Sequence, residues 1–136
     1  MSFRSKILTG LAATALSAVA FSSAFAGEIK PYEQGAFEAA QKAGDAIVVD
    51  ITASWCPTCR AQKPIIQALT TSSDLEPVTV FEVNFDDQKD VVRALGANMQ
   101  STLIAFNGET ETGRSVGDTK PQSIENLFKS TLSAKP

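Results

Sequence analysis

The chain has 136 residues, enough for one domain, and its 12 Lys and Arg against 15 Asp and Glu give a net charge of −3. It contains two cysteines and no histidine, which excludes Ser-His-Asp triads, Cys-His nucleophile pairs and histidine-ligated metal centres. The acidic balance argues against a nucleic-acid-binding surface. A content of 43% hydrophobic and 20% charged residues indicates a globular chain.

Residues 1–26 have the pattern of a secretory signal peptide. Arg4 and Lys6 form a positive start, an uncharged run rich in Leu and Ala follows, and Ala24-Phe25-Ala26 matches the A-x-A cleavage pattern. The apolar run is shorter than the roughly 20 residues of a spanning helix, so an uncleaved membrane anchor is the less favoured alternative. Cleavage would leave residues 27–136 with 10 positive and 15 negative side chains. We expect a bacterial periplasmic location, where cysteines can persist as a disulfide.

After residue 26, the sequence predicts alternating helices and strands. Residues 37–43 form a short predicted helix that ends at Gly44. Residues 46–52 are a nearly continuous β-branched run with Asp50 as its only charge, which is typical of a strand covered on both faces. The further predicted elements are a helix over 59–70, a strand over 78–85, a helix over 87–95, a strand over 102–106, a return strand over 113–116 after an Asn107-Gly108 turn, and a final helix.

The final helix is predicted to open with a capping box from Thr119 to Gln122 and to carry Leu132 on its apolar face. The order of elements predicts a single α/β domain. Its parallel crossovers and closing antiparallel hairpin predict a mixed central sheet with helices on both faces.

Both cysteines lie in the segment Trp55-Cys56-Pro57-Thr58-Cys59, directly after the apolar strand and at the start of a helix. Positions i and i+3 share a helix face, so modest adjustment brings the two sulfurs to bonding distance. The unpaired N–H groups and the dipole at a helix start favour a thiolate, which is the attacking species in disulfide exchange. We therefore expect Cys56, at the exposed end, to attack a substrate disulfide and Cys59 to resolve the adduct.

Two other interpretations of the cysteines stay open on the residues alone. A structural disulfide, or a pair of unreactive buried thiols, is one, although a disulfide that closes so small a loop would stabilise the fold little. A metal site is the other, but two thiolates are half of a tetrahedral zinc site and the chain has no histidine or further cysteine to complete it. The sequence therefore predicts no metal site within one chain, and leaves open a cluster shared across a dimer.

The cysteine segment resembles the active site of the thioredoxin family. The resemblance includes Asp50 six residues before Cys56, the Trp-Cys-x-x-Cys motif and Pro64, and it continues through 83–86, 102–109 and 116–117. It implies a thioredoxin fold and a thiol–disulfide oxidoreductase that needs no organic cofactor, because the Cys56–Cys59 pair carries the electrons. The partners it implies are protein thiols and disulfides.

The Pro57-Thr58 pair resembles the thioredoxin-like proteins of cytochrome c maturation, whereas general thioredoxins carry Gly-Pro. Those maturation proteins usually contain an insert that this chain lacks. The pair favours a reductant that serves cytochrome c maturation proteins or is itself kept reduced by a membrane electron donor. A periplasmic dithiol oxidant is the enzymatic alternative.

The resemblance also implies supporting roles. Asp50, predicted to be buried, would take the proton of Cys59 through water, and an Asp at a strand end that faces solvent is the alternative. Glu82 stands where thioredoxins commonly carry a lysine, and it either faces Asp50 or points to solvent. Trp55 is expected to shield Cys56, with plain core packing as the alternative, and the Thr58 hydroxyl to tune the thiolate.

Ser101 is the main departure from the family pattern, since thioredoxins carry a cis proline just before the residue that matches Thr102. A cis bond before a non-proline residue costs about 3–4 kcal/mol, so the Gln100–Ser101 bond is predicted to be trans. The loop that docks an extended substrate by strand addition is then reshaped, and the Ser101 hydroxyl is free to bond a cysteine sulfur. This departure supports a rival function, a thioredoxin-fold binding module or chaperone with little redox turnover.

Overall fold

The computed structural model describes residues 27–132, so the predicted signal peptide lies outside the described residues. Within 27–132, no helix has the length and apolar character needed to cross a membrane. The elements in chain order are β1 (Glu28–Pro31), α1 (Gln34–Ala43), β2 (Ala46–Thr52), α2 (Pro57–Thr70), a 3₁₀ turn (Ser73–Leu75), β3 (Val78–Asn84), α3 (Lys89–Ala94), β4 (Thr102–Asn107), β5 (Thr110–Val116) and α4 (Pro121–Ser130).

The strands form one mixed sheet in the order β1-β3-β2-β4-β5. β1, β3 and β2 run parallel, while β4 is antiparallel to β2 and β5 is antiparallel to β4. The predicted mixed sheet and its closing hairpin are therefore confirmed. β1 is not predicted by the sequence, because its four residues are polar at alternate positions and end in a proline, which is tolerated at a sheet edge.

Helices cover both faces of the sheet, because side chains alternate along each buried strand. On one face, Ile47, Val49 and Ile51 of β2 pack with Phe37 of α1 and Val92 of α3. On the other face, Val48 of the same strand packs in a cluster with Ile66 of α2 and Ile124 and Phe128 of α4. Asp50 has the parity of Val48, so it points toward the face that α2 covers.

Two predicted helix boundaries have different outcomes. Gly44 ends α1 in the left-handed conformation at φ 80°, as predicted. The capping box is wrong: Lys120 is the N-cap of α4 and makes no side-chain cap bond. The start of α4 is instead bonded by Asp118, which precedes the helix. Its carboxylate accepts hydrogen bonds from the Lys120 N–H at 3.0 Å and from the Ser123 hydroxyl. Leu132 lies beyond the end of α4 and is exposed, so its predicted place on the apolar face is wrong.

Candidate active site

The cysteines lie where the central strand β2 passes into helix α2. Cys56 is the N-cap of α2 and Pro57 is its first residue, where the missing N–H of proline costs no helical hydrogen bond. The backbone N–H of Cys59 donates to the Cys56 sulfur at 3.1 Å. The sulfur of Cys56 thus takes the position of a capping oxygen, and the helix start directs a donor and its positive dipole end at it.

Cys56 and Cys59 form a disulfide, with their Cα atoms 5.3 Å apart. Both residues are buried in a small cluster with Ala53, and half-buried Phe85 packs against it. Cys56 is 1% exposed and Cys59 is 6% exposed. The expectation that Cys56 lies at the exposed end is therefore wrong for this structure, because the cap bond turns its sulfur back toward the helix start and the cluster covers it.

Asp50 is buried beneath this segment, at 7% exposure, as predicted. In the parallel register of β2 and β3 it is paired with Glu82, so the two carboxyl side chains lie side by side. Burial, the charge of Glu82 and a smaller opposing effect of Lys63 together raise the pKa of Asp50 to about 7. One oxygen of Asp50, Oδ1, is buried without a hydrogen-bond partner among residues 27–132. Near neutral pH this carboxyl can therefore either give or accept a proton.

A cleft of about 310 Å³ connects Cys59 to the charged groups around it. Cys59, Arg60 and Lys63 of α2 line one side, and half-buried Glu82 lines the other. The remaining lining residues are Thr52, Ala53, Ser54 and Asn84. Its volume is enough for several water molecules, so a water-borne proton can reach Cys59. Of the two possibilities for Glu82, the structure supports the one that brings it to Asp50.

Trp55 is 53% exposed, which rules out the alternative that it is a core residue. Its indole N–H donates to Asp86 Oδ2 at 2.8 Å, and its ring meets Phe85 edge-on at a centroid distance of 6.5 Å. The ring is thus fixed at the surface beside the cysteine segment. That it shields Cys56 stays a prediction.

The loop before β4 contains Ser101, which is 4% exposed. The described residues contain no cis peptide bond, so the predicted trans bond is confirmed, and Ser101 is the one non-glycine residue among them with a positive φ, at 57°. Within residues 27–132 the Ser101 hydroxyl makes no hydrogen bond to either cysteine sulfur, so the predicted bond between them is wrong. The loop is held instead through the Ser101 carbonyl, which accepts a hydrogen bond from the Gly117 N–H at 2.9 Å. Thr102 is buried and closes the loop by donating its hydroxyl to the Met99 carbonyl at 2.7 Å.

Gln62 is a buried site residue that the sequence does not predict. It is 1% exposed, and its amide nitrogen donates to the Ser101 carbonyl at 3.3 Å and the Asp118 carbonyl at 2.8 Å. A signal exists in the sequence, since Gln62 follows Cys59 by three residues and so shares its helix face.

The other predicted site residues lie near the helix start. Pro57 is exposed, and Thr58 is half-buried. The structure gives the Thr58 hydroxyl no hydrogen-bond partner in the part of the chain that it describes, so its effect on the thiolate stays a prediction. In that same part, no three Cys, Asp or Glu side chains are arranged to hold a metal ion.

Comparison with known proteins agrees with this geometry. The thioredoxin family profile matches residues 28–130. The chain belongs to the thioredoxin family. It is 31% identical to an H-type thioredoxin of Fagopyrum esculentum over 91 residues, which are 67% of this chain and 77% of that protein. It is 28% identical to thioredoxin Asp f 29 of Aspergillus fumigatus over 92 residues, 68% of this chain and 83% of that one.

A solved structure of a protein called Trxlp, from Edwardsiella tarda EIB202, superposes with a TM-score of 0.72 at 35% identity, over 74% of this chain and 97% of that chain. The sheet, its helices and these matches establish the thioredoxin fold. Family membership together with the Cys56–Cys59 pair makes the chain a thiol–disulfide oxidoreductase.

Proposed function

We propose that the chain is a periplasmic reductant of protein disulfides, exported by residues 1–26. Cys56 is its nucleophile, Cys59 its resolving residue and Asp50 its proton acceptor. The observation that carries the proposal is the capping of α2 by the Cys56 sulfur, which accepts the Cys59 N–H at 3.1 Å. A group that accepts a hydrogen bond at a helix start is stabilised most as an anion, and the anion is the attacking form of a cysteine.

The reaction begins with the reduced protein. The Cys56 thiolate attacks one sulfur of a client disulfide, so that a Cys56–client bond forms, the client's own S–S bond breaks and one client thiolate leaves. Cys59 then loses its proton and attacks the Cys56 sulfur, which forms the Cys56–Cys59 disulfide and releases the second client thiolate. Two electrons pass from the protein to the client.

Asp50 supports the second step. Cys59 lines the cleft that Glu82 also lines, and Asp50 is the strand neighbour of Glu82. Because the pKa of Asp50 is raised to about 7, its ionised form is a stronger base than an ordinary carboxylate and can accept the Cys59 proton through water at neutral pH.

The Pro57-Thr58 pair supports the proposed direction of electron flow and the proposed partners. Its resemblance to cytochrome c maturation proteins favours reduction of client disulfides, with a membrane electron donor restoring the dithiol. A reductant should have a potential near that of thioredoxin, about −270 mV, whereas a strong dithiol oxidant lies near −120 mV. A redox titration of the purified protein against glutathione decides between them, and a value near −120 mV would overturn the reductant proposal.

The nucleophile is tested by trapping. Cys59→Ser should accumulate a mixed disulfide with a client protein, because the resolving thiol is gone, while Cys56→Ser should accumulate none. Insulin reduction by the wild type should exceed that of both variants by at least about a hundredfold. Equal rates in wild type and Cys56→Ser would contradict the proposal.

Export is tested in the source cells. Fractionation should place the protein with periplasmic markers, and N-terminal sequencing of that fraction should begin at Gly27. A protein that retains residues 1–26 in the membrane fraction would support the anchor instead.

One observation favours the rival function, a binding module with little redox turnover. Cys56 is only 1% exposed, so the residues that cover its sulfur must move before a client disulfide can react with it. The trapping experiment separates the two: a module would bind its client equally well in wild type and in Cys56→Ser, and would trap none covalently.

A further inference from the structure

We propose that Gln62 is a positioning residue of the exchange site: its buried amide fixes the Ser101 loop beside the cysteines and so controls how fast a protein disulfide reacts. The Ser101 loop is the segment 95–101 between α3 and β4. This inference rests on the proposed function, because it assigns a residue to client docking in that same reaction.

The amide of Gln62 joins three parts of the molecule. From α2 it donates to the Ser101 carbonyl at 3.3 Å and to the Asp118 carbonyl at 2.8 Å, in the segment that follows β5. Gly117, next to Asp118, donates its own N–H to the same Ser101 carbonyl at 2.9 Å. One side chain thus ties the cysteine helix to both loops at this end of the sheet.

The position of the Ser101 loop follows from the strand register. Thr102 pairs with Ile51, so Ser101 is level with Thr52, at the end of β2 from which the chain continues to Cys56. Cys56, Cys59 and Gln62 follow each other at intervals of three residues, which places them along one side of α2. The side of the helix that carries the sulfurs is therefore the side that holds the loop.

The conformation of the Ser101 loop must be stabilised by hydrogen bonds from outside the loop. Ser101 has φ 57°, a left-handed conformation that is unfavourable for a residue with a side chain. The Ser101 hydroxyl has no hydrogen-bond partner among the described residues to offset that cost, so the carbonyl contacts from Gln62 and Gly117 fix the conformation.

The other end of the Gln62 amide supports the same conclusion. Its oxygen, Oε1, is buried without a hydrogen-bond partner in the described part of the chain. Burying an unpaired acceptor is unfavourable, and an apolar side chain of the same length would avoid it. The two bonds that the nitrogen donates therefore explain an amide at this position, whereas packing alone would favour methionine or leucine.

The test compares Gln62→Met with Gln67→Met. Methionine keeps the length and volume of Gln62 and removes its donor. Gln67 is an exposed glutamine on the same helix, whose contact to Thr70 uses only its backbone carbonyl. Reduced proteins are mixed with insulin, a protein disulfide, and with Ellman's reagent, a small disulfide that needs no docking loop.

We expect Gln62→Met to lower the rate constant with insulin about tenfold, equivalent to about 1.4 kcal/mol, and to leave the rate with Ellman's reagent within about twofold. Gln67→Met should match the wild type with both. Equal losses with the two disulfides, or no loss with insulin, would overturn the proposal.

Amide hydrogen exchange adds a measurement that does not depend on turnover. The Gly117 amide should exchange faster in Gln62→Met than in the wild type, while amides of β2 and β3 stay protected. Unchanged Gly117 exchange would also overturn the proposal, and loss of protection in β2 would show that the variant perturbs the whole fold and refute a local effect. If wild-type protein failed to reduce insulin at all, the proposed function would fall, and Gly117 exchange would still decide whether Gln62 holds the loop.

Discussion

The charged groups around Cys59 differ from the family pattern, in which a lysine commonly lies on the strand beside the buried Asp. Glu82 occupies the strand position beside Asp50, so two carboxyl groups share one partly buried place. The positive charges come from the helix instead, because Arg60 and Lys63 of α2 line the opposite side of the cleft. Of these two cations, Lys63 is the one that opposes the rise in the pKa of Asp50.

This arrangement makes a prediction for Lys63. Lys63→Gln removes a positive charge that favours ionised Asp50, so the pKa of Asp50 should rise above about 7. The measurement is a carboxyl carbon NMR titration of the oxidised protein, in which neither cysteine titrates.

Arg60→Gln is the matched control, since it removes a like charge from the same cleft and helix, and Lys63→Arg should restore the wild-type value. The prediction would be contradicted if Lys63→Gln left the pKa of Asp50 unchanged, or if both glutamine variants raised it equally. Lys63 would then have no specific effect on the pKa of Asp50.

A second prediction at this scale concerns the Cys56 sulfur. In the reduced protein, the Cys59 N–H and the helix start should stabilise the Cys56 thiolate, so iodoacetamide should alkylate Cys56 at pH 6 at least about tenfold faster than free cysteine. The measurement is mass spectrometry of the modified residue over a pH series, with Cys59→Ser to isolate Cys56. Alkylation with the pH dependence of free cysteine would remove the main support for Cys56 as nucleophile.

At the scale of the element, the Ser101 loop differs from the family pattern, because Ser101 stands where thioredoxins carry a cis proline. A proline ring holds φ near −65°, whereas Ser101 has φ 57°. Ser101→Pro therefore cannot occupy the loop as it stands, and it should destabilise the oxidised protein by about 2–3 kcal/mol. Ser101→Gly accepts the left-handed conformation and should stay within about 1 kcal/mol of the wild type.

Urea unfolding of the three oxidised proteins, followed by circular dichroism, gives these differences. If Ser101→Pro were as stable as the wild type, the loop would have changed to a conformation that suits proline, and its present form would not be fixed by its surroundings.

Elements with strong local patterns can be predicted from the sequence, and β2 is the clearest case because its nearly continuous β-branched run matches the burial of the first six of its seven residues. β1 is not predictable in this way, because a four-residue edge strand depends on pairing with β3, which is far along the chain. The same holds within the site. The motif around Cys56 identifies the chemistry. The burial of Cys56 depends on its cluster with Ala53 and Phe85, and the contacts of Gln62 depend on a loop about 40 residues later.

At the scale of the whole molecule, the proton-accepting carboxyl is expected to lower stability. The pKa of Asp50 is about 7 in the folded chain and near 3.8 in the unfolded chain, where the carboxyl is exposed. A raised folded pKa means that folding favours the protonated form, so the stabilisation is full below about pH 4 and is lost as pH rises through 7. A difference of this size corresponds to up to about 4 kcal/mol.

Asp50→Asn should therefore raise the unfolding free energy relative to wild type by up to about 4 kcal/mol at pH 8, with the difference shrinking toward pH 4. The asparagine amide has the same effect on the unfolding free energy at every pH. Ionisation of Asp50 is therefore measured by how the free-energy difference between Asp50→Asn and wild type changes with pH in urea unfolding. Asp45→Asn, at an exposed position just before β2, is the matched control and should show no such trend. A difference between Asp50→Asn and wild type that stayed constant from pH 4 to 8 would mean that Asp50 ionises as easily in the folded chain as in the unfolded one, and it would then be too weak a base to take a proton from Cys59 at neutral pH.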